Sequence, residues 1–146
     1  MSRGICCIAL FAVVIGAQGC GPDGPDIASV EGVVTLDGKP LEGAQVLFVP
    51  EKGRPAVGKS DASGRYRMEY TESRTGAIPG KSRVEITTWA PGYMNEAGER
   101  VPGVKEVVPA RYNRDTTLEF DVQPGTANVA NFELESKGKI AVIKDE

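Results

Sequence analysis

From residue 30 onward, apolar side chains recur at every second position, and that rhythm decides what the chain can become. Val30, Gly32, Val34 and Leu36 share one face, against Glu31 and Thr35. Ala44, Val46 and Phe48 alternate with Gln45, Leu47 and Val49, and Tyr66, Met68 and Tyr70 alternate with Arg65, Arg67 and Glu69. Val84, Ile86 and Thr88 oppose Arg83, Glu85 and Thr87, while Leu118, Phe120 and Val122 oppose Thr117, Glu119 and Asp121. Ala130, Phe132 and Leu134 complete the series against Asn131, Glu133 and Glu135. A period of two is the signature of half-buried strands with one wet face. No stretch carries a helical period beyond a single turn at 109–112.

The punctuation between these runs predicts turns. Asp37-Gly38 and Asp61-Ala62-Ser63-Gly64 put residues tolerant of positive φ where tight hairpins need them. Gln123-Pro124-Gly125 has the proline-then-glycine order of a type II turn. With residues 55–60 as a further short strand, the count is seven. Seven antiparallel strands over residues 29–135 predict an all-β, immunoglobulin-like two-sheet sandwich, with a closed barrel as the alternative. Residues 136–146 read as a tail, with 139–143 open as an edge strand.

The N-terminus has a different character. Arg3 precedes an apolar run from Ile5 to Ile15, and Gly16-Ala17-Gln18-Gly19 then leads straight to Cys20. A charged start, an apolar middle and small residues at the cut are what a secretory signal needs. The uncharged stretch from Gly4 to Gly19 falls short of the about 20 apolar residues of a membrane span. With a cysteine at the cut, the segment resembles a bacterial lipoprotein signal, which implies removal of residues 1–19 and lipidation of Cys20. Each buried CH₂ of such a lipid contributes about 0.8 kcal/mol, so two or three chains hold a protein durably at a bilayer. Residues 20–28, rich in Gly and Pro, then form the tether. Of the three cysteines, Cys6 and Cys7 leave with the signal, so the mature chain can form no internal disulfide. Gly21 stands where some bacteria place an acidic residue for inner-membrane retention. The resemblance therefore implies a cell-envelope location, at the outer membrane rather than the inner.

Removal of the signal leaves 127 of the 146 residues, enough for one domain with a packed core. The full chain carries a net charge of −3, with basic and acidic residues interleaved rather than clustered. That excludes the basic stripe of a nucleic-acid binder. The chain contains no histidine, which removes the commonest general base and zinc ligand. Asp61 lacks the spaced carboxylates of a calcium loop, so no metal or cofactor is expected. Glu85 and Glu119 could be imagined as a glycoside-cleaving acid pair. Both fall on wet faces of strands, where a solvated charge is expected. No enzyme is predicted.

Val30-Glu31-Gly32-Val33-Val34, Asp37-Gly38-Lys39-Pro40-Leu41-Glu42-Gly43-Ala44-Gln45-Val46 and Ser60-Asp61-Ala62-Ser63-Gly64-Arg65-Tyr66 together resemble a carboxypeptidase regulatory-like domain. Ile78-Pro79-Gly80-Lys81, Pro109-Ala110-Arg111-Tyr112-Asn113 and Val122-Gln123-Pro124-Gly125 are similar to segments of small bacterial lipoproteins with that domain. The resemblance runs from about Ser29 to Leu134. It implies a prealbumin-like (transthyretin-like) sandwich that acts as a noncatalytic structural or interaction module. The related hydroxyisourate hydrolases depend on a histidine site that this chain cannot supply.

The segment most open to function is residues 89–108, a long connection with Pro91, Gly92, Pro102 and Gly103 and the sole tryptophan. Trp89, Tyr93 and Met94 are the candidate contacts for an envelope protein or polysaccharide. The competing reading has Trp89 cap the open end of the sandwich. A carbohydrate-binding module is the alternative function. It asks for exposed coplanar aromatics, whereas Phe48, Tyr66, Tyr70, Phe120 and Phe132 all point to the core.

Overall fold

The computed structural model describes residues 24–140; the signal segment and Cys20 lie outside the described residues. In chain order the strands are β1 (Val30–Leu36), β2 (Lys39–Pro40), β3 (Gln45–Pro50), β4 (Ala56–Lys59), β5 (Arg65–Arg67) and β6 (Glu69–Thr71). There follow β7 (Arg74–Thr75), β8 (Gly80–Thr87), β9 (Tyr93–Met94) and β10 (Arg100–Val101). A 3₁₀ turn at Ala110–Tyr112 precedes β11 (Glu119–Val122), β12 (Asn128–Val129) and β13 (Phe132–Leu134). The fold is all-β, and each alternating run in the sequence falls on a strand.

Two sheets face one another. In the first, β1 is the shared spine, with β2 and β5 on one flank and β12 and β13 on the other. The second runs β11-β8-β3-β4-β6-β7. Rings from both close the core: Phe48 of β3 lies 5.6 Å from Phe120 and 6.4 Å from Phe132. Val30, Val34, Val46, Phe48, Met68, Val84, Ile86 and Val122 are completely buried.

The expectation of purely antiparallel strands is corrected at β1. It pairs parallel with β12 (Val30↔Asn128) and with β13 (Val34↔Phe132). The reason is the direction of travel. Strand β11 runs antiparallel to β8 and ends at Val122, beside Gly80. The Gln123-Pro124-Gly125 turn, with Gly125 at φ +68°, then hands the chain to the other sheet at the end where β1 begins.

The two Asp-containing turns behave differently. Asp37 and Gly38, at φ +50° and +77°, close a two-residue hairpin between β1 and β2. The expected hairpin at Asp61 to Gly64 is corrected. Asp61 Oδ1 accepts from the Ser63 N–H, the Ser63 hydroxyl and the Arg65 N–H, so the turn is well formed. Yet it joins strands of different sheets, because β4 pairs with β3 and β6 while β5 pairs with β1. The alternating run from Arg65 to Tyr70 is split for the same reason. At Met68 the N–H donates to Val30 of the first sheet, and the carbonyl accepts from Gly76, next to β7 of the second. One run thus stitches both layers.

Close approach of backbones governs the centre of the first sheet. A Cβ on Gly32 would land on the Ala130 carbonyl oxygen. With glycine there, the buried Tyr66 hydroxyl donates to that carbonyl at 2.7 Å. One residue on, Asn131 Oδ1 accepts from the Val33 N–H at 3.0 Å, supplying the acceptor the ladder lacks. Burial raises the Tyr66 phenol far above its ordinary value, so it is a permanent donor. In the second sheet, Ser82 faces the core, and its hydroxyl is buried without a partner among the described residues.

These contacts set three stabilities. Tyr66→Phe leaves the Ala130 carbonyl buried and unpaired, and is expected to cost about 1–2 kcal/mol in urea unfolding at unchanged slope. Gly32→Ala is expected to cost more, since two backbones must separate. Ser82→Ala removes an unmade hydrogen bond and is expected to match or exceed the parent protein.

Candidate functional site

Strand β8 carries its inward alternation one residue past its end, so Thr88 is buried although it is polar. A buried hydroxyl needs partners. Glu106 provides them from the far end of the long connection. Its carboxylate accepts from the Thr88 N–H at 3.0 Å, the Thr88 hydroxyl at 2.8 Å and the Val108 N–H at 2.9 Å. The Thr87 hydroxyl donates to its other oxygen, where the Asn113 amide approaches at 3.4 Å. Thr88 Oγ1 in turn accepts from the Val107 N–H at 2.9 Å, which closes the circuit.

Electrostatics follow from that shell. Burial pushes the Glu106 carboxyl up, but donors from Thr87, Thr88 and Val108 outweigh it and hold the group below its ordinary value. An ionised carboxylate has about four acceptor sites, and here they are occupied. Glu106 thus acts here as a hydrogen-bond acceptor from both ends of the connection. It fastens the two ends of residues 89–108 together.

The connection itself is not the irregular loop expected from its prolines and glycines. It is a hairpin arm. Ala90 and Val104 exchange both backbone bonds, at 3.1 and 2.9 Å. Beyond them β9 and β10 pair Tyr93 with Val101 and Met94 with Arg100. Between these pairs the two legs come too close for side chains: a Cβ on Gly103 would sit 2.7 Å from the Ala90 carbonyl. At the tip, Asn95 Oδ1 accepts from the Glu99 N–H at 2.8 Å, and Gly98 takes φ +78°.

The three candidate contacts are only partly brought together. Tyr93 and Met94 are 61% and 63% exposed, as a partner-binding pair must be. As neighbours on one strand they point to opposite faces of the arm. Trp89 is half-buried at the arm's root and is not among the residues of the core cluster. Val104 and Val107, also exposed, add apolar surface that the sequence reading left out. Glu106 and Thr88 escaped it as well. Their one available signal was a threonine at an inward position of β8, which demands a polar partner from elsewhere.

Glu85 and Glu119 are each engaged by a basic side chain. Arg83 binds Glu85 and Lys81 binds Glu119, each at 2.7 Å. Among the described residues no three His, Cys, Asp or Glu side chains converge as metal ligands, and no helix is long and apolar enough to cross a membrane. A concavity of 730 Å³ lies open over the first sheet, lined by Glu31, Arg65, Arg67, Glu69 and Asn131 among others. Its aromatic residue, Tyr66, is buried with the hydroxyl already committed.

No family model matches the chain, and no curated protein is similar to it. A solved structure described as a 9R-lipoxygenase from Cyanothece PCC8801 is similar over 75% of this chain. The similar region spans 16% of that chain, at 10% identity and a TM-score of 0.41. A likeness of that grade carries no argument.

The Glu106 fastener makes a pH-dependent prediction. Because its folded value is depressed, its contribution is complete above the ordinary value of 4.5 and is lost as pH falls through the lower folded value. Amide-exchange protection in residues 89–107, relative to the intrinsic rate at each pH, is expected to fall in acid before that of the core strands does. Glu106→Ala is expected to show that loss of protection at neutral pH and to cost about 1–3 kcal/mol. Glu106→Gln is expected to abolish the acid dependence of the arm.

Proposed function

We propose that this protein is a noncatalytic, lipid-anchored lipoprotein of the bacterial cell envelope, whose β-body is a structural or protein-interaction module. The observation that carries the interaction reading is the arm. It projects Tyr93, Met94 and Val104 into solvent from a root fixed by Glu106. A spacer has no use for apolar side chains on a fastened projection; a docking element does, because it loses little entropy on binding. The noncatalytic reading draws support from the missing histidine, the saturated Glu106 and the ion-paired Glu85 and Glu119.

Anchoring rests on the sequence that ends at Cys20, with outer-membrane delivery preferred because Gly21 follows it. The finer architecture belongs to the same proposal: a prealbumin-like, immunoglobulin-like sandwich of the carboxypeptidase regulatory-like kind over residues 29–135. A parallel pairing of the first strand with the last is compatible with it. The carbohydrate-binding alternative has less support, since Tyr93 is the one strongly exposed aromatic side chain among the described residues.

A photo-crosslinking residue at Met94 is expected to give discrete protein adducts in intact envelopes, and one at exposed Glu133 none. The double substitution Tyr93→Ala and Val104→Ala is expected to abolish the adducts while changing stability by no more than about 0.5 kcal/mol. Identical patterns from both positions, or none from position 94, contradict the interaction reading.

A further inference from the structure

The two sheets share a polarity that separates the chain's entry point from the arm. Ala28 pairs with Ala77, just ahead of Gly80 where β8 begins, whereas the arm leaves from Thr88 where β8 has ended. The eight residues of β8 span roughly 23 Å at about 3.3 Å per residue. The entering chain is held at its own end. The Arg74 guanidinium donates to the Pro25 carbonyl at 2.8 Å. Arg74 also lies 5.7 Å from the centre of the Tyr70 ring, with Arg54 at 5.5 Å. Pro25 is therefore seated on the β6–β7 turn, beside the β3–β4 loop.

Pro25 follows Cys20 by only five residue steps. Whatever their conformation, they reach at most about 18 Å. A lipid on Cys20 thus draws a bilayer toward the pole where the chain enters, at the opposite end of β8 from the arm. We propose that the pole formed by the β3–β4 loop and the β6–β7 turn is a bilayer-facing surface, and that the arm points away from that bilayer. This rests on the lipidation of Cys20 proposed above. Lys52, Arg54 and Arg74 have no carboxylate partner in an ion pair among the described residues, so they are available to lipid phosphates. Asp26, Glu51 and Glu72 in the same segments balance them. The short tether, not net charge, dictates the seating. The arm's partner then lies on the far side from the anchoring leaflet.

The test uses the full acylated chain in phosphatidylcholine vesicles that carry an acceptor dye on the lipid headgroup. Acylation of Cys20 leaves an introduced cysteine as the sole thiol of the mature chain, so single donor labels can be placed at Lys52→Cys or Ala97→Cys. Both positions are exposed. Energy transfer from position 52 is expected to exceed that from position 97 several-fold. A chain that floats with the vesicles yet gives equal or reversed transfer overturns the orientation alone. A chain that fails to float overturns the lipidation reading, and the orientation with it.

Discussion

The parallel seam between β1 and the closing segment β12–β13 is the constraint on which the rest depends. It joins residues 98 apart, so forming it closes a loop at an entropic cost on the order of 4 kcal/mol. Val30, Val34, Phe132 and Leu134 are buried along the seam. At about 1.5–3 kcal/mol for each fully buried side chain, they outweigh that cost. The approach is possible only because Gly32 has no side chain to strike the Ala130 carbonyl. Tyr66 and Asn131 then satisfy the groups that the interrupted ladder leaves open. Without this seam β1 loses a flank, and the first sheet can no longer cover Phe48.

That frame gives the molecule two unlike poles. At one, the entering chain is held by Arg74 beside the cations of the β3–β4 loop. At the other, the arm stands on a carboxylate that is kept charged because every oxygen site is filled. The fastener suits a rigid projection: it fixes the base while leaving Tyr93 and Met94 in water.

Much of the fold was legible in the sequence because a half-buried strand writes its orientation in every second residue. The core positions of β1, β3, β8, β11 and β13 could be read that way. Pairing could not. Alternation tells which face of Arg65 to Tyr70 is buried, but Met68 divides that run between two sheets, and no local pattern encodes which neighbours a strand will meet. The direction of β12–β13 depends on where a turn deposits the chain, which is a property of the whole. The same holds for the site. Tyr93 and Met94 could be singled out as apolar residues in a polar setting. Glu106 looked like any charged residue of a loop, since its value lies in Thr87 and Thr88, which are 18 or more residues away.

The central claim is a passive β-body held to a bilayer by its first mature residue, presenting an arm to a partner. Intact mass measurement of the chain extracted from native membranes tests it most directly. The account predicts a single species that begins at Cys20 and carries the added mass of a diacylglyceryl group, with or without an amide-linked acyl chain. A species with an unmodified thiol at that position, or one that retains Met1, contradicts it.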